Sequence, residues 1–120
     1  MARITILQHS KDAVDYAAGT TIFSQGDPAE HMFVVIEGAV DMVLNGITVG
    51  SAGPGEAFGE MGLIENAPRS ATAIATVPSR IVPVDKRRFL FMVTETPNFA
   101  LQLLAIMAER LRAHNDRLVG

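Results

Sequence analysis

The chain has 120 residues, 48% of them hydrophobic, which is enough for one real core but not two. A formal net charge of -3 provides no basic field for broad nucleic-acid binding. The absence of cysteine excludes a disulfide scaffold, a cysteine-ligated iron–sulfur cluster and a thiol nucleophile.

The opening "MARITILQHSKDAV" has one arginine and only a short apolar-leaning run, so it does not read as a secretory leader. From Val14 to about Val84 the pattern is short strands divided by turn signals. "VDYAAGTTIFSQGD" gives an extended piece, an Ala-Gly break, and a second run from Thr20 to Phe23 that stops at Gly26-Asp27. "MFVVIEG" stops at Gly38, "AVDMVL" alternates, and Asn45-Gly46 leads into "ITVG". Asn-Gly between alternating apolar residues signals a hairpin, because both central positions need positive φ. "ATAIATV" and "SRIVPVD" supply further strands, with Pro78 and Pro83 marking edges or breaks. Ten glycines at such intervals fit a rolled or barrel-like antiparallel sheet better than a parallel βαβ sheet.

The character changes at Lys86. "KRRFLFMVTETP" reads as a short helix, and Pro97 opens a new one behind Thr96 as its N-cap. From Asn98 to about Leu118 the apolar positions fall on two stripes. Phe99, Leu103 and Ile106 form one, expected to pack on the roll. Leu104, Met107, Leu111, His114 and Leu118 form the other, spaced like a coiled-coil seam. The simplest partner for this second stripe is another copy of the chain, which makes the helix a homodimer helix. The alternative buries both stripes within one chain, under a curved sheet. The longest apolar run, "FALQLLAIMA", is shorter than the roughly 20 residues a bilayer needs, so a cytoplasmic protein without membrane contact is expected. Lys86, Arg87 and Arg88 read as a solvated helix start, and Tyr16 and His31 as surface or roll-edge residues.

Chemistry concentrates in "FGEMGLIENAPRSATAIA", Phe58 to Ala75. It holds one carboxylate, Glu60, and one guanidinium, Arg69, among glycines and small or apolar residues. Gly59 allows close approach of backbone to a ligand. A helical turn from Glu60 to Ile64 would aim its first N–H groups at an anion. Arg69 offers a planar fork of donors that matches a phosphate, and an ionised Glu60 accepts from a neutral hydroxyl. An anion at one end and a hydroxyl at the other describe a sugar phosphate or nucleotide. A Glu60–Arg69 salt bridge closing a loop fits the same spacing.

The stretch resembles the phosphate-binding cassette of the cyclic nucleotide-binding domain family: Phe58-Gly59-Glu60, four mostly apolar residues, the turn Glu65-Asn66-Ala67, then Pro68-Arg69-Ser70-Ala71-Thr72. Upstream, "AGTTIFSQGDPAEHMFVVIEGAVDMVL" is similar to the family's roll, and "PNFALQLLAIMAERLR" to the dimer helix of its catabolite activator branch. The resemblance implies a single domain over residues 1–120: a β-roll of about eight strands over 12–85 with the cassette at 58–72, and helices over 86–118. It implies that Glu60 accepts from a ribose 2′-hydroxyl and that Arg69 pairs with the cyclic phosphate. Backbone donors around Gly59, Met61 and Ala71 and the Ser70 hydroxyl would add phosphate contacts. Arg110 matches a helix arginine that reaches the ribose and the cassette glutamate. His114 and Asn115 stand where the activator branch places two hydroxyl residues against adenine. That departure leaves adenine and guanine both open, with cAMP preferred over cGMP. His114 equally reads as a polar insertion that sets the register of a dimer seam.

No cofactor is implied beyond the cyclic nucleotide, and no helix-turn-helix follows the helix, so DNA binding is not expected. The chain reads as a roll and helix standing alone, or as a fragment of a longer protein, with an effector partner that the sequence does not identify. Catalysis finds no support. His9, His31 and His114 are too scattered for a cupin metal site, "GPGEAFG" is not a dinucleotide fingerprint, and no Gly-x-Ser-x-Gly elbow occurs. The rival reading is a roll of the same fold that serves as an interaction module without nucleotide.

Overall fold

The computed structural model describes residues 2–119, with side chains through residue 116. Eight described strands form two antiparallel sheets. They are β1 (Val14–Tyr16), β2 (Thr21–Phe23), β3 (His31–Glu37), β4 (Val40–Leu44), β5 (Ile47–Ala52), β6 (Ala57–Phe58), β7 (Thr72–Ala75) and β8 (Ser79–Asp85). The first sheet runs β1-β8-β3-β6 and the second β2-β7-β4-β5. Three helices accompany them: α1 (Glu60–Glu65), α2 (Lys86–Glu95) and α3 (Pro97–Val119). This is the β-roll with C-terminal helices expected from the sequence.

Strand β3 explains the uninterrupted apolar run of "MFVVI". Successive side chains point to opposite faces of a strand. Met32 and Val34 enter a cluster beneath the helices, while Phe33 and Val35 enter a second one between the sheets. The single core expected from the chain's length is thus divided in two by this sheet. Both faces are buried, so both parities are apolar. Strand β8 divides similarly, with Val82 and Val84 on the helix side and Ile81 between the sheets. At the β4–β5 hairpin Leu44 pairs with Ile47, and Asn45 and Gly46 take φ of 52° and 79°. Both are left-handed, as an Asn-Gly turn requires. Strand β1 covers β8 only as far as Ile81. Pro83 therefore lies on an edge stretch of β8, paired with Phe33 alone.

Phe99, Leu103 and Ile106 of α3 are buried against Met32, Val34, Val82 and Val84. Full burial of such side chains contributes about 1.5–3 kcal/mol each. Met107 packs partly on the same cluster, but Leu104 and Leu111 remain 60% and 61% exposed. Burial of both stripes within one chain is thus corrected for Leu104 and Leu111; Leu118 lies outside the described side chains. Thr96 also differs from expectation. Its hydroxyl donates to the Met92 carbonyl at 2.5 Å and so closes α2, rather than capping α3. The start of α2 is capped by Asp85, which accepts from the Arg88 amide at 2.8 Å. Arg88 also pairs with Asp12 at 2.7 Å. Tyr16 is half-buried on edge strand β1, and burial raises its phenol above the usual pKa.

The N-terminal residues carry more structure than the sequence reading assigned them. Ile4 and Leu7 are buried in the helix-side core. The Ile4 amide donates to the Gly55 carbonyl at 2.7 Å, and the Ala2 amide to Glu109 Oε1 of α3 at 2.7 Å.

Candidate ligand site

The turn from β6 into α1 builds one wall of the site. Phe58 anchors it in the core between the sheets, and Gly59 follows with φ of 75°. That left-handed conformation favours glycine. A Cβ at Gly59 would also sit 2.7 Å from Arg69 Nη1.

Arg69 enters from the segment before β7. Its backbone is fixed on both sides: its amide donates to the Asp27 carbonyl at 2.8 Å, and its carbonyl accepts from the Gly26 amide at 2.8 Å. The side chain is only 6% exposed. Nη1 donates to the Gly59 carbonyl at 2.7 Å, and Nη2 donates to the His31 carbonyl. The guanidinium carbon lies 4.1 Å from the centroid of the Phe23 ring. Nε is buried and has no hydrogen-bond partner. Burial lowers the Arg69 pKa, while the charges of Asp27 and Glu60 oppose that shift. A guanidinium starts so high that it remains charged.

Glu60 is 5% exposed and forms its ion pair with Arg110 of α3, at 3.1 Å through Oε1. Arg110 Nη2 donates in addition to the Ala57 carbonyl. The loop-closing Glu60–Arg69 salt bridge is therefore not the arrangement found: the carboxylate pairs with α3, and the guanidinium with backbone carbonyls. This leaves a buried cation with no carboxylate in direct contact among the described residues.

These groups border a cavity of about 380 Å³. Gly59, Glu60, Met61, Arg69, Ser70, Ala71 and Arg110 all line it. His114 and Asn115 do not; both are exposed on α3. The structure adds Phe23 from β2, Met42 from β4, and Val49, Gly50 and Ser51 from β5. The alternation of "AVDMVL" signals Met42, because Val40 is a core residue and Met42 shares its face. Ser51 donates its hydroxyl to Asp41 at 2.9 Å. No group of three or more metal-ligating side chains occurs among the described residues. Nor is any single described helix long and apolar enough to cross a membrane.

A buried arginine, a buried glutamate and a cavity between them occur together on a β-roll, and the family profile of the cyclic nucleotide-binding domain matches residues 13–96. The chain belongs to the cyclic nucleotide-binding domain family. A cAMP-dependent protein kinase regulatory subunit of Yarrowia lipolytica is 42% identical over 60% of the chain and 19% of its own length. A CRP-like cAMP-activated global transcriptional regulator of Mycobacterium tuberculosis is 30% identical over 96% of the chain and 54% of its length. Among solved structures, the catabolite activator protein of Thermus thermophilus superposes with a TM-score of 0.75 at 33% identity. That match covers 88% of this chain and 52% of the other. This cyclic nucleotide-binding domain thus spans about half the length, or less, of these relatives.

Proposed function

We propose that this domain binds a cyclic purine nucleotide, cAMP in preference to cGMP, and reports its presence through α3. The observation that carries the reading is Arg69: a buried guanidinium with a partnerless Nε, on the wall of a cavity, with no carboxylate in contact. A buried charge without an opposite partner is costly, and an incoming anion would supply the missing half. The relatives named for cAMP support the choice of ligand.

In this reading the cyclic phosphate lies against Arg69, with the Ser70 hydroxyl and the backbone donors of Gly59, Met61 and Ala71 around it. Glu60 accepts from the ribose 2′-hydroxyl through the oxygen that Arg110 leaves free. The Glu60–Arg110 pair joins the ligand to α3, so binding biases a pre-existing equilibrium between helix positions. His114 and Asn115 reach the base only from a moved α3 or from a second copy. The exposed Leu104 and Leu111 are the face for that copy, in a homodimer. The output is regulatory rather than catalytic and passes to an effector protein in the cytoplasm, without DNA contact by this domain.

Titration calorimetry of the nucleotide-stripped protein with cAMP and cGMP tests the reading. Arg69→Ala is expected to weaken cAMP binding by about 2 kcal/mol or more, because a charge-assisted contact is lost. Equal affinity in wild type and variant would overturn the assignment of Arg69. No heat with either nucleotide would favour an interaction module that takes no ligand.

A further inference from the structure

An anion site needs a cation that is held still without being neutralised. A carboxylate partner would hold Arg69 but cancel its field. The structure uses neutral partners instead. The carbonyls of Gly59 and His31 take one N–H from each terminal nitrogen. A guanidinium has five N–H donors, so three remain, including the one on Nε. The third restraint is aromatic: the guanidinium carbon lies 4.1 Å from the Phe23 centroid and 5.7 Å from that of Phe33. The negative face of a ring attracts a cation but carries no net charge, so the positive field toward the cavity survives.

Phe23 also differs from Phe33 in place, because it lines the cavity and Phe33 does not. Its ring is packed against two others. Phe33 and Phe58 are 5.8 Å and 6.1 Å from it, and those two stack on each other at 5.1 Å. A ring wedged in this way presents a fixed face.

We propose that Phe23 is a positioning residue for the anion site: its ring seats the Arg69 guanidinium so that the remaining donors serve the ligand's charged group. The proposal rests on the cyclic nucleotide reading above. It concerns how the affinity for the charge is generated, and it makes one aromatic side chain of β2 part of the binding machinery.

The test is a set of calorimetric titrations with cAMP and with an uncharged methyl phosphotriester of cAMP. Phe23→Leu and Phe23→Met fill the space without a ring, and Phe23→Tyr keeps one. The Leu and Met variants are expected to bind cAMP about five- to tenfold more weakly, and the Tyr variant within about twofold of wild type. The triester should not distinguish the variants, and Phe23→Leu should cause no further loss in an Arg69→Ala background. Thermal melts identify any variant that has lost its fold, and the pair of ring-less substitutions guards against losing one. Wild-type affinity in the ring-less variants overturns the proposal. So does an equal loss for the triester or in the Arg69→Ala background, since that would mark a general packing role. A wild type that binds neither compound is a different outcome, which overturns the nucleotide reading and the proposal with it.

Discussion

At Gly59 the backbone and the neighbouring side chain make the same demand. A φ of 75° strains any L-residue, and a Cβ there would press on Arg69 Nη1 at 2.7 Å. Gly59→Ala is expected to lower stability by about 1–2 kcal/mol through the left-handed backbone alone. It should also weaken cAMP binding, because Arg69 must leave the Gly59 carbonyl. Melting and calorimetry measure the two effects separately, and unchanged affinity in a destabilised variant would show that ligand-bound Arg69 does not use this seat. Glu60 and Arg69 stand out in the sequence as a candidate pair because a carboxylate and a guanidinium lie among small and apolar residues. Their partners are a different matter. Arg110, fifty positions from Glu60, is reached only through the family resemblance, and nothing in the sequence marks the Gly59 and His31 carbonyls that hold Arg69. Such pairings depend on how the elements fold back on one another, and backbone acceptors carry no mark in a sequence. Phe23 was hidden for a related reason: the last residue of a three-residue strand has too short a period to show which way it faces.

Among the elements, the long strands and both C-terminal helices follow from pattern alone. The Asn45-Gly46 hairpin and the doubly buried β3 are the clearest instances. Strand β6 has two residues, Ala57 and Phe58, and no alternation can declare itself over that length. The segment around Ile4 and Leu7 was equally silent, since the run Ile4-Thr5-Ile6-Leu7 before Gln8 and His9 is too short to declare a strand or helix period. Helix α3 is where pattern and packing diverge in a useful way. Its first stripe is buried in the core, while Leu104 and Leu111 stay open. Replacing both with Glu should leave the fold of a single copy intact, because exposed positions contribute within about 0.5 kcal/mol, while any stabilisation that wild type draws from pairing is lost. If these residues join two copies, light scattering will report a dimer for wild type and a monomer for the double variant. A wild-type monomer at micromolar concentration would overturn the homodimer.

For the molecule as a whole, the question is how an event in the cavity reaches the helix. The described connection is short: Glu60 to Arg110 to α3, with the Ala57 carbonyl holding the same guanidinium. Ligand that engages the other oxygen of Glu60 is joined to one end of this connection. Amide hydrogen exchange should therefore change most at α1 and in the turns of α3 around Arg110 when cAMP is added. The centre of β3, buried on both faces, should change little beyond the general stabilisation that any ligand of the native state confers. A uniform change across the chain would argue against transmission through Arg110. The N-terminal segment has its own part in this. It is laced to the roll through Ile4 and to α3 through the bonds from Ala2 to Glu109 and from Thr5 to Gln102, at 2.7 Å and 3.2 Å. It therefore straddles the boundary between the part that would stay and the part that would move. A dye attached there sits astride that seam and can register its opening, whereas a bulky affinity tag in the same place would wedge it.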